Sequence, residues 1–201
     1  MSDTYASIVR ENHQRLFQSL SPSLAEDLLA RREGLDFIFN AFGETCRITP
    51  EGFVLGNTMQ TGVTGILLSL YALHASSTPH TLEPFKAYRE FPGTTPYVGA
   101  FATHTENILV PHVKAIKAKK NEIVHKLNGF VHEKPVSGDF GFVVYPLPKI
   151  ALCYLFYEAD EDFPASATCL YSFNASAFMP NDALADVGEY TSKKIIELVE
   201  L

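Results

Sequence analysis

The chain has 201 residues, 46% hydrophobic and 19% charged, which is enough apolar material for a sizeable core and excludes a disordered, highly charged segment. Its 16 Lys and Arg against 23 Asp and Glu give a net charge of −7, which argues against a nucleic-acid binder relying on general phosphate attraction. The longest apolar run, Ile150 to Tyr157, has eight residues, far below the roughly 18 to 20 that a membrane-spanning helix needs. The chain opens Met1-Ser2-Asp3, carries charges close behind and lacks an apolar signal core, so the expectations are a cytoplasmic location, no membrane and no nucleic acid.

The charge is unevenly spread. Residues 1–132 carry 12 acids and 12 bases, and residues 133–201 carry 11 acids and 4 bases, so any acidic surface belongs to the last third. Cys46, Cys153 and Cys169 are too far apart for a CxxC pair and read as buried free thiols.

In chain order, Tyr5, Ile8, Val9, Leu16, Phe17 and Leu20 fall near one face of a helix beginning at Ser2-Asp3. Ser21-Pro22 starts a second helix, Ser23 and Glu26 have capping-box spacing, and Gly34 after Arg31-Arg32 marks its stop. Residues 36–42, 45–49 and 53–55 are short β-prone runs separated by Gly43-Glu44 and Pro50-Glu51-Gly52, which predicts an antiparallel meander. Gly62 to His74 is too apolar for a surface helix and predicts a buried one packed on that meander. After an irregular stretch, helices are expected from Pro96 and again after Pro111. In the second, Lys120 falls inside the Val113, Ile116, Ile123, Leu127 stripe, so a kink or a snorkelling lysine is expected. A loop at 129–138 leads to β-like runs at 140–145, 150–157 and 168–173. The middle run suits a strand covered on both faces, and Pro146 and Pro148 hold the first at an edge or end it. A final helix spans about Pro180 to Leu198, with Leu184, Val187, Ile195 and Leu198 on one face. The expectation is one α+β domain over 1–201, with mostly antiparallel sheet elements and N-terminal, central and C-terminal helices.

Chemical templates are mostly empty. The chain has no Walker sequence, GxGxxG, G-x-S-x-G or HExxH. Glu158 to Asp162 resembles the start of a calcium loop, but Phe163 and Cys169 stand where that loop needs Gly and Glu. The pairs His104/His112, His125/His132 and His74/His80 lack the spacing that aligns two imidazoles on a helix, so no metal and no cofactor are expected. Gly56 to Gly65 reads as a turn and cap in preference to an anion site. Two regions are more pointed. Tyr88-Arg89-Glu90-Phe91-Pro92-Gly93 sets a charged pair beside aromatics, where Arg89 can clamp a carboxylate or phosphate. Gly138-Asp139 and the Glu158 to Asp162 run lie at predicted strand ends, where carboxylates can converge on a cleft; solvated acidic turns and an internal Arg ion pair are the plainer account.

These residues, with Tyr97 and Phe101, Pro146-Leu147-Pro148, Phe163-Pro164, and Leu184 with Gly188-Glu189, resemble in order and spacing domain-of-unknown-function family 3786. The resemblance covers most of the chain and is strongest from residue 85 onward. It implies a bacterial or archaeal protein of a kind common in anaerobes, an α+β domain and no particular activity. Some relatives are fused to iron–sulfur modules; this chain has no cysteine cluster and could at most assist a separate redox protein.

The preferred reading is a small-ligand-binding or accessory protein, its partner an unknown small molecule or protein, with Arg89, Tyr97, Asp139, Glu158 and Asp160 as candidate binding residues and Arg89 and Asp139 sharing one polar site. The alternatives are a hydrolase or lyase with Asp139 or Glu158 as general base and Arg89 as anion holder, and an adaptor for an anaerobic redox complex.

Overall fold

The computed structural model describes residues 2–132 and 137–200, so part of the predicted 129–138 loop lies outside the described residues. Helix α1 (Ser2–Gln18) buries Val9, Asn12 and Leu16 against α3 (Val63–Leu73). The one polar member of that stripe is satisfied, because Asn12 Nδ2 donates to Ser69 Oγ at 2.9 Å.

The second predicted helix is only α2 (Leu24–Leu28). It ends at Leu29, whose φ of 55° is left-handed, and the Ser23 hydroxyl bonds Asp27 instead of closing a capping box. Arg31–Glu33 is β1, paired with β2 (Asp36–Ala41), and Gly34, at φ 62°, turns that hairpin and stops no helix. Then β3 (Glu44–Thr49), β4 (Gly52–Leu55) and β5 (Thr58–Met59) complete an antiparallel sheet in the order β1-β2-β3-β4-β5, the expected meander with a strand added at each edge.

The β2–β3 turn consists of Phe42 and Gly43, with φ values of 50° and 80°. Two positive φ values suit a two-residue hairpin turn, but a bulky Phe is costly there. Tertiary contacts hold it. The Phe42 ring is buried edge-on against Tyr190 at 4.6 Å, and its N–H donates to Pro146 O at 2.7 Å, which ties the first sheet to the second.

From Thr95 to Lys126 the chain follows one helical path of changing pitch: a 3₁₀ turn (Thr95–Tyr97), α4 (Val98–Phe101), a π-turn (Ala102–Glu106), a second 3₁₀ stretch (Asn107–His112) and α5 (Val113–Lys126). Pro111 lies inside the second 3₁₀ stretch. It has no N–H and crowds the carbonyl four residues back, so regular α pitch cannot run through it. No kink forms at Lys120, which lies half-buried in an unbroken α5.

The second sheet has the order β6-β10-β9-β8-β7, from β6 (Lys86–Ala87), β7 (Phe130–Val131), β8 (Phe140–Leu147), β9 (Ile150–Tyr157) and β10 (Ser166–Tyr171), all antiparallel. The eight-residue apolar run is the central strand. Pro146 neither ends β8 nor makes it an edge. It sits in an irregularity between Val144 and Leu147, where a missing N–H is tolerated.

Helix α6 (Asn181–Glu200) lies against the π-turn, α3 and α5. Buried tyrosines of the second sheet fasten it: Tyr171 Oη donates to Leu184 O at 2.6 Å, and Tyr154 Oη and Ser192 Oγ are 3.0 Å apart. A Cβ on Gly188 would stand 2.6 Å from Tyr171 Oη and 2.9 Å from the Phe101 ring, so only glycine allows this approach. No helix among the described residues is long and apolar enough to cross a membrane.

Candidate functional site

The aromatic segment around Arg89 is built by local bonds and then pinned to α6. Glu90 Oε2 accepts the Ala87 N–H at 2.6 Å, closing a 3₁₀ turn over Tyr88–Glu90. Tyr88 stacks on Phe101 at 4.5 Å, and its hydroxyl donates to Asn181 O at 2.9 Å. Asn181 Nδ2 returns a bond to Pro92 O at 2.8 Å. Burial, with Asp182 next in effect, pushes the Tyr88 phenol up to about 12, which keeps it a donor.

This frame presents Arg89 to a cleft of about 330 Å³ lined also by Tyr88, Val98, Phe101, Glu106 and Cys169, within the usual size range of small-ligand sites. The Arg89 side chain is exposed and, among the described residues, enters no ion pair. Glu106 is half-buried and one oxygen accepts the Cys169 N–H at 2.9 Å. Burial raises its proton affinity, and the Cys169 bond and the Arg89 charge offset that only in part. The cleft therefore offers a permanent cation beside a carboxyl that holds its proton above the ordinary carboxylate range.

The expected pairing of Arg89 with Asp139 does not form. Asp139 Oδ2 accepts the Glu158 N–H at 2.7 Å, and Glu158 forms an ion pair with Lys117 of α5. These two acids meet at one end of the β8–β9 pair, where they join strand ends and α5. Asp160 Oδ1 accepts the N–H groups of Asp162 and Phe163 at 2.9 and 2.7 Å, an Asx-type turn with its oxygen already engaged. Tyr97, 45% exposed, lines a second cavity that shares Phe101 with the first and is lined also by His104, Asp182, Asp186 and Glu189.

Glu106, the partner of Arg89 across the cleft, was not legible as a site residue. An isolated acid between Thr105 and Asn107 carries no motif, and only the π-turn directs it toward β10. Burial favours the protonated form of the three free thiols, raising Cys46 and Cys153 to about 12 and Cys169 well above the ordinary thiol value. Among the described residues no group of three or more His, Cys, Asp or Glu is placed to hold a metal ion.

Two antiparallel sheets, a helical stretch of mixed pitch and two small-molecule-sized clefts lined by that stretch define an α+β protein. The chain belongs to the family described as domain of unknown function (DUF3786), whose profile matches residues 21–194. No curated protein and no solved structure matches the chain.

Proposed function

We propose that the protein binds a small organic anion in the Arg89–Glu106 cleft. The observation that carries this reading is a guanidinium free of ion pairs facing a carboxyl of raised proton affinity across a ligand-sized space. Arg89 binds one carboxylate or phosphate group of the ligand in its planar fork. The raised proton affinity of Glu106 lets it take up a proton as an anion binds beside it and donate to the ligand, and the rings of Tyr88 and Phe101 cover the ligand's apolar part. Asp139, Glu158 and Asp160 hold strand ends and turns in this reading and do not bind ligand.

Isothermal titration with succinate and with inorganic phosphate tests it. Saturable binding of either, abolished in Arg89→Met and kept in Arg32→Met on β1, is expected; binding of neither, or binding indifferent to Arg89, overturns the proposal. A hydrolase or lyase with a carboxylate base is favoured by one observation, the raised proton affinity of half-buried Glu106, which moves the base from Asp139 or Glu158 to Glu106. Turnover of a carboxylate or phosphate ester that Glu106→Gln removes, with succinate binding intact, would establish it; turnover that survives Glu106→Gln would exclude it.

A further inference from the structure

The Arg89 cleft holds two charges of opposite sign that do not meet. Among the described residues that line it, only Arg89 and Glu106 are charged, and they form no ion pair with each other or with any other described residue. Each is held from its own side. Glu106 is tethered through Oε1 to the Cys169 N–H of β10 at 2.9 Å. Arg89 sits in the 3₁₀ turn that Glu90 closes, so the acid next to it in sequence is already committed to the Ala87 N–H at 2.6 Å. The Arg89 charge still reaches Glu106 across the gap.

The second oxygen of Glu106 is the open one. Oε2 makes no hydrogen bond among the described residues and is not sealed from solvent, so it is free to accept from a ligand in the cleft. Burial makes the Glu106 charge costly unless a cation stands beside it, and Arg89 supplies only part of that compensation. A ligand whose only polar group is a carboxylate therefore binds at a cost, because Glu106 must take up a proton. A ligand that carries an ammonium beside its carboxylate avoids that step: it brings donors and positive charge to Oε2 while Arg89 holds the carboxylate. The wall also includes Val98, Phe101 and Leu170, which suit an apolar side chain.

We propose that the ligand of this cleft is a free α-amino acid with an apolar side chain, its carboxylate in the Arg89 fork, its ammonium on Glu106 Oε2 and its side chain against Val98, Phe101 and Leu170. The inference rests on the reading that the cleft binds an organic anion, and it adds that this anion carries its own cation. Two opposite charges held apart in one small cleft complement a zwitterion better than a dianion, whose second carboxylate would meet Glu106. A peptide end fits less well. A C-terminus lacks the free ammonium and an N-terminus lacks the carboxylate, so only the free amino acid engages both side chains.

The test is isothermal titration of the full chain at neutral pH with L-leucine, with 4-methylpentanoate as the same acid without its ammonium, and with L-leucinamide as the same amine without its carboxylate. L-leucine is expected to bind about tenfold or more tighter than 4-methylpentanoate, the worth of one charge-assisted contact, and L-leucinamide more weakly than either. Glu106→Gln should bring L-leucine down to the affinity of 4-methylpentanoate, and Arg89→Met should abolish both. Arg89 is exposed, and Glu106→Gln keeps an oxygen for the Cys169 N–H, so both variants are expected to fold. Arg89-dependent binding of 4-methylpentanoate or succinate at least as tight as that of L-leucine, or a preference for L-leucine that survives Glu106→Gln, overturns the amino-acid assignment and leaves the anion reading standing. L-leucinamide binding as tightly as L-leucine, binding of none of the acids, or binding indifferent to Arg89 overturns both.

Discussion

At the scale of single residues, a costly pair of backbone conformations sits where the two sheets meet. Phe42 and Gly43 both have positive φ, and a Cβ on Gly43 would stand 2.8 Å from Lys126 O. Gly43→Ala should therefore destabilise the fold by about 1–3 kcal/mol, read as a lower urea midpoint at unchanged m-value. Glu106 gives a pH signature. Its proton is held more tightly in the folded than in the unfolded chain, so as pH rises above the ordinary carboxylate value the unfolded state ionises first and stability falls until the folded group also ionises. Glu106→Gln removes that loss. The variant's stability relative to wild type should improve as pH rises from the ordinary carboxylate value of about 4.3 in denaturant titrations, and a difference constant with pH would contradict the assignment. The sequence displayed Arg89 but not its partner, because Glu106 reaches the cleft through the pitch of a π-turn that no local pattern announces.

At the scale of elements, β9 is central and covered on both faces, but unequally. Ile150, Leu152, Tyr154 and Phe156 enter the main core, whereas Ala151 and Cys153 join a small cluster in which Leu155 is only partly buried. Leu152→Asp should abolish soluble folding, since it buries a charge with no partner. Leu155→Asp should cost less and leave a folded protein with a lowered Tm. Equal behaviour of the two variants would refute the unequal packing. Residues 150–157 were legible as this strand because an unbroken apolar run has no face to offer water. The shortness of the second helix is not legible, for the opposite reason. Its local signals are weak and equal to those of a hairpin, and the pairing of Arg31–Glu33 with β2 decides between them. Likewise Pro146 looked like a strand end until the irregularity in β8 and the bond to Phe42 gave it a place.

At the scale of the whole molecule, charge is distributed by element. The lysines of α5 scatter round their helix, and Lys117 is already paired with Glu158, so α5 offers phosphates no continuous cationic track. An anisotropy titration with a random DNA duplex at physiological salt should show no saturable binding at micromolar protein, and saturable binding would overturn this reading.

What the sequence determined by itself is whatever rests on periodicity and burial: the N-terminal helix, the three-run meander, the apolar helix at 63–73, the central strand and the amphipathic C-terminal helix, together with membership of the family. Each follows from apolar side chains leaving water at a spacing the local backbone sets. The tertiary structure alone decided which polar residues face each other. Arg89 meets Glu106 instead of Asp139, and Asp139, Glu158 and Asp160 tie strand ends and turns. The physical reason is that a polar contact depends on ångström-level placement of segments far apart in the chain, here set by the mixed helical pitch from Thr95 to His112 and by the close approach at Gly188, and neither leaves a repeat for the sequence to display.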